Sequence, residues 1–218
     1  MTVDLVKSFS LRWFQVVAVA FAIAVVSMAI IALGAPWYHQ VHQFSVPLQD
    51  FETTSETQYS LNEWIEVYGD GTEHSSYHVG VNFWEAREPI HTFAERLSML
   101  LVIGAGISAL WAAFVALGAR YSSLIAGIGS AALFAAVGLI FFLGFGDAYN
   151  SSDISNPYSQ YSHFFVDTTA EDSLSVDRDI WGPMLGWYLV LAAFAVQSVA
   201  TALVAFSQRK AIGQRPPR

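Results

Sequence analysis

The side chains best suited to hold a metal or move a proton are six histidines: His39, His42, His74, His78, His91 and His163. His39 and His42 stand three residues apart. On a helix continuing past Pro36 their imidazoles share a face and can hold Zn or Cu, with a Glu or Asp completing the set. A proline at the first turn of a new helix is compatible with that continuation. His74 and His78 suit a metal only on a helix, because on a strand about 13 Å separates them. Surface histidines on a polar cap account for the same residues with no metal at all. Carboxylates lie close together at Glu63/Glu66, Glu85/Glu88 and Glu171-Asp172, the raw material of acid–base catalysis. So many acids in two segments produce such pairs by chance. Asp153, Asp177 and Asp179 lack the spacing of an EF-hand, and no Gly-x-Ser-x-Gly elbow occurs. The chain has no cysteine. Disulfides, Cys-ligated zinc, iron–sulfur clusters and thiol nucleophiles are therefore excluded.

The elements that must position these residues follow from composition. Of 218 residues, 54 % are apolar and 13 % charged, against about 25 % charged in an ordinary soluble domain. The apolar residues fall in runs. No Asp, Glu, Lys, Arg or His lies between Trp13 and Pro36, from Leu97 to Ala119, from Tyr121 to Gly146, or from Ile180 to Gln208. Each run reaches the roughly 20 residues a helix needs to cross a bilayer. The runs predict four transmembrane helices at 13–36, 97–118, 122–146 and 184–206, within a single integral membrane domain over 1–218. The first reads as an uncleaved signal-anchor, since its apolar stretch is too long for a signal peptide and Trp37-Tyr38 forms an interfacial aromatic anchor.

Basic residues set the orientation. Lys7, Arg12, Arg120, Arg209, Lys210, Arg215 and Arg218 fall on one side, and Arg87, Arg96 and Arg178 on the other. Both termini and the tail 207–218 are expected in the cytoplasm of a cell bounded by a plasma or cytoplasmic membrane. Loops 37–95 and 147–183 are expected outside, where they hold every acidic residue except Asp4. The net charge of −8 argues against nucleic acid as a partner. A saline or acidic exterior would also favour such a surface. Asn150-Ser151-Ser152 is a glycosylation sequon on the outer side.

Gly69-Asp70-Gly71-Thr72 is a strong turn signal between two β-forming runs, predicting a hairpin of 61–68 with 76–84. A lone ribbon is marginal, so Gln43–Val46 and Tyr161–Val166 are its expected partners. The fold class is then an all-α four-helix membrane bundle with a small extracytoplasmic β-sheet cap formed by the two outer loops.

Four spans, cytoplasmic ends, a long β-rich first loop and a shorter second one resemble the claudin superfamily, which includes peripheral myelin proteins and calcium-channel gamma subunits. Trp37 stands just outside the first span, where that family has a Trp. Leu61-Asn62-Glu63-Trp64 lies near the position of its Gly-Leu-Trp. Ala94-Glu95-Arg96-Leu97 is similar to the small-residue/Arg start of its second span, and Met184-Leu185-Gly186-Trp187 to the Gly-Trp pair opening its fourth. The two loop cysteines that follow the family's Gly-Leu-Trp are absent. The resemblance covers the topology of nearly the whole chain through short motifs.

Within the spans the sequence is chemically quiet. Gln15 and Gln197 are the largest polar groups, and the titratable residues that mark ion paths or proton relays are missing. Small residues at Ala20/Ala24, Gly104/Ser108 and Gly127/Ala131 are spaced for close helix contact. These features favour a non-catalytic accessory, scaffolding or adhesion-type subunit over an enzyme. Its expected partners are the lipid bilayer and other membrane subunits, a basic outer face on the partner suiting the acidic cap. The alternatives are an extracytoplasmic metal-binding enzyme subunit, or a channel or channel modulator with an acidic vestibule.

Overall fold

The computed structural model describes residues 2–46, 48, 51–68, 72–78, 88–151, 164–172 and 174–213. Side chains are described for 13–46, 48, 52–62, 65, 88–151, 164–172 and 174–208. In chain order the elements are α1 (Thr2–Gly34), β1 (Pro36–Val46), β2 (Phe51–Ser60), β3 (Glu63–Tyr68), β4 (Thr72–His78), α2 (Glu88–Ala116), α3 (Arg120–Asn150), β5 (Val166–Glu171), β6 (Val176–Pro183) and α4 (Leu185–Gly213). The four helices are long and apolar enough to cross a membrane. The sequence reading treats the chain as one domain. Its contacts divide it into two compact units, one of 1–30, 100–137 and 189–218, the other of 31–99 and 138–188.

The first unit is a helical bundle with a seam. Buried positions recur at alternating spacings of three and four: Ala18, Ala22, Val25 and Ala29 on α1, and Leu101, Gly104, Ser108, Trp111 and Val115 on α2. On α3 they are Ser123, Gly127, Ser130, Phe134 and Val137, and on α4 Val190, Ala193, Gln197, Ala200 and Val204. This is the 3.5-residue period of left-handed helix packing. Small side chains dominate the seam, where close approach of the backbones decides the contact. Gly104 abuts Phe134 and Leu133, while Gly127 abuts Thr201 and Trp111. Of the small pairs on α1, Ala20 is exposed and the buried stripe runs through Ala18 and Ala22 instead. α2 closes with Gly118 at φ 71°. Its N–H reaches Val115 O and the next N–H reaches Phe114 O, the two bonds of a Schellman cap that only glycine enters without strain.

The second unit holds a six-stranded antiparallel sheet in the order β4-β3-β2-β1-β6-β5. The hairpin around 69–72 is present as β3 and β4, whereas 79–84 lie outside the described residues. The partner strands follow expectation in part. Gln43–Val46 joins the sheet as the second half of β1, which is central and begins at Pro36, β2 and β6 flank it, and of the described residues 164–166 only Val166 joins β5. The helix also stops where the metal reading needed it to run on. Ala35 makes its last helical bond to Ile31 O, and Pro36 has no N–H to continue the ladder and forces Ala35 out of the α region.

Apolar side chains gather at one end of the sheet. Trp37, Tyr38, Tyr59 and Trp181 are buried there. They meet the end of α3 through Phe141, Phe145 and Tyr149, with ring centroids 4.5 Å apart for Tyr38–Phe145 and 5.0 Å for Trp37–Phe141. Tyr38 Oη donates to Phe164 O at 2.8 Å, and Trp37 Nε1 to Ala32 O at 2.6 Å. This aromatic cluster is what lets a sheet without disulfides stand.

Across β5 and β6, Arg178 donates from Nε and Nη2 to both carboxylate oxygens of Asp167 at 3.0 and 2.9 Å. In the turn, Asp172 Oδ1 accepts from the N–H groups of Leu174 and Ser175 at 2.7 Å. The Arg178 hydrogen bonds and charge hold Asp167 below the ordinary aspartate range, and the backbone donors do the same for Asp172. A lowered carboxyl pKa stabilises above the unfolded value of about 3.9 and is lost as pH falls through the lower folded value. Amide protection of β5, corrected for intrinsic exchange, is therefore expected to fall as pH drops below about 4. Asp172→Asn should weaken protection at neutral pH and flatten that dependence; unchanged protection at both pH values would show that the turn does not depend on the carboxylate.

Candidate metal centre

β1 alternates its side chains between two faces. Tyr38, Gln40, His42 and Phe44 share one, and His39, Val41 and Gln43 the other. The proposed pairing of His39 with His42 therefore fails: three residues apart on a strand, the two imidazoles point to opposite sides. His39 Nδ1 lies 3.5 Å from Glu56 Oε1 on β2. His91 Nε2 lies 3.6 Å from Glu95 Oε1 on the same helix. His74 and His78 sit on strand β4 with their side chains outside the described residues, and His163 lies outside the described residues altogether. So do Glu85 and the side chains of Glu63 and Glu66.

His42 has better company. The register places it directly opposite Asp179 on β6, and Asp177, two residues earlier on that strand, occupies the same face. His42 Nδ1 is 3.0 Å from Asp179 Oδ1 and 3.3 Å from Asp177 Oδ1. All three ligand atoms lie within 4.8 Å of one another, the one such His/Asp/Glu trio among the described residues. Their side chains are 47 %, 33 % and 45 % exposed.

The electrostatics of the trio are incomplete. Two carboxylates on one face of one strand repel. A single Nδ1 proton serves one of them, and the hydrogen bond goes to Asp179. Asp177 Oδ1 is shut off from solvent with no hydrogen-bond partner among the described residues, an arrangement that costs free energy. Arg178, between them in sequence, faces the other side and is committed to Asp167. Gln40, next along the same face as His42, accepts from Tyr59 Oη and Tyr149 Oη at 3.1 and 3.2 Å while its own Nε2 is buried without a partner among the described residues.

Sequence reasoning selects His42 but misses Asp177 and Asp179. The signal is the alternation Val176-Asp-Arg-Asp-Ile180, which on a strand sends both carboxylates to one side and Arg178 to the other. No family model matches this chain, and no curated protein matches it.

Proposed function

We propose that this chain is an integral four-span membrane protein, of claudin-like topology, that serves as a non-catalytic accessory, scaffolding or adhesion-type subunit of a larger complex. Its termini lie in the cytoplasm, and the sheet meets a partner outside. The observation that supports this most is the fate of the polar groups in the bundle. Ser108 Oγ donates to Gln197 Oε1 at 2.8 Å, Gln197 Nε2 to Thr201 Oγ1 at 3.3 Å, and Thr201 Oγ1 to Gln197 O at 2.8 Å. Ser130 Oγ donates to Gly104 O at 3.0 Å, and Gln15 Nε2 to Ala116 O at 3.0 Å. These groups hold helix to helix and leave little for transport or catalysis. Trp111 Nε1, buried without a partner among the described residues, is neither acid nor base. Outside the aromatic end, the sheet is Thr-, Ser- and acid-rich, suited to a partner with a basic face.

Purification from native membranes in mild detergent, followed by mass spectrometry, tests the reading. A stoichiometric complex with a larger membrane protein is expected. Recovery as a monomer that turns over a substrate would overturn it. Reporter fusions check sidedness separately: after Arg218 the signal should be cytoplasmic, and near Asp70 external.

A further inference from the structure

We infer that His42, Asp177 and Asp179 form a zinc-binding site that ties the first long segment between helices to the second. Three ligands on a tetrahedral zinc with bonds of about 2.0–2.1 Å stand about 3.3 Å apart. The 3.0 and 3.3 Å separations from His42 Nδ1 are close to that spacing, and all three ligand atoms lie within 4.8 Å of one another. A divalent cation also corrects each fault of the trio. It neutralises two neighbouring carboxylates and gives Asp177 Oδ1 a partner. It replaces the one Nδ1 proton of His42, which reaches Asp179 alone.

The ligand set selects the ion. Calcium and magnesium take oxygen donors almost exclusively, whereas one imidazole with two carboxylates suits zinc, three protein ligands leaving the fourth position to water. The ligands come from strands β1 and β6, which are paired in register from Tyr38–Pro183 to Ser45–Val176. Backbone pairing therefore fixes the ligand positions before any metal arrives, so little ordering is required on binding. In a chain without cysteine, such an ion does the work of a disulfide between two segments far apart in sequence. This inference is independent of which side of a membrane the sheet occupies.

The test uses the full chain in detergent micelles, stripped with a chelator, dialysed and titrated with zinc chloride in excess calcium and magnesium. One zinc per chain is expected. Because loss of even a supporting residue costs 10–100-fold, His42→Ala and Asp177→Asn should each weaken binding by at least about 100-fold, and His39→Ala by less than about threefold. Cobalt chloride gives a second readout on the wild-type chain: the intense visible bands of a four- or five-coordinate site are expected, and they should vanish in His42→Ala. The trio is on the sheet surface, so near-UV circular dichroism of the variants should match wild type. Absence of stoichiometric zinc, equal affinity in His42→Ala, displacement by calcium or magnesium, or only the faint spectrum of hexaaqua cobalt would each overturn the proposal.

Discussion

Gly127→Leu is expected to break the helical bundle, while Gly129→Leu, two residues further along α3, is expected to leave it intact. A Cβ on Gly127 would stand 2.7 Å from Thr201 Cγ2 and 2.9 Å from Trp111 Cδ1. Neither neighbour yields easily. Trp111 is fully buried, and Thr201 is 7 % exposed and bonded to Gln197. Moving Thr201 disturbs the chain of hydrogen bonds that reaches Ser108 on α2. Overpacking a well-filled core costs about 1–3 kcal/mol per intrusion, occasionally more, and Leu adds three further carbons beyond Cβ. A loss of at least about 3 kcal/mol is expected, since the helices must separate. Gly129 has nothing within 4 Å of its would-be Cβ, so the same substitution there meets open space. Thermal unfolding of both variants in one detergent gives the comparison. Equal stability of the two would mean that the close approach at Gly127 does not hold the bundle together.

The helices are legible because each run is apolar, uninterrupted by charge and long enough to cross a bilayer. Their seams are harder to read. Both the buried and the exposed faces of these helices are apolar, and exposed Ile23, Ile30, Leu143 and Val199 differ from buried Val25 and Val190 only in position. Amphipathic periodicity therefore fades, and the small residues that mark the seam are too common to identify one stripe; hence Ala20 stood in for Ala18 and Ala22.

The sheet divides in the same way. Gly69-Asp70-Gly71 announced its hairpin because a turn needs glycine. β2, written Glu-Thr-Thr-Ser-Glu-Thr over 52–57, has no apolar alternation, since both its faces are polar along most of its length. β6 was hidden by its own charges. Without that strand, Asp177 and Asp179 looked like scattered loop acids, and His42 was paired with His39 through a helix that Pro36 forbids. Register, not spacing along the chain, assembles the trio: residues 42 and 179 become neighbours only through the pairing of β1 with β6. Single-sequence spacing contains no measure of that distance.

Trp37→Ala should destabilise the sheet unit as severely as any substitution within it. Trp37 is 1 % exposed. Its indole donates to Ala32 O at 2.6 Å, its ring meets Phe141 edge-on at 5.0 Å, and its other side lies against Gly186, where a Cβ would overlap the ring. Truncating such a residue removes its packing and leaves a cavity, which costs about 3–5 kcal/mol. At roughly 2–4 °C per kcal/mol for a chain of this size, the unfolding midpoint is expected to fall by on the order of 10 °C. Gly186 supplies an internal check. Gly186→Ala should be strongly destabilising in the wild-type background, because the added methyl drives into the indole. In the Trp37→Ala background the same methyl enters the space the indole has left and should cost little or even stabilise. The two substitutions would then be non-additive by 1 kcal/mol or more, the signature of direct contact. Additive effects in the double-mutant cycle would mean that Trp37 and Gly186 do not touch, and that the aromatic cluster does not depend on the close approach of α4 to the start of β1.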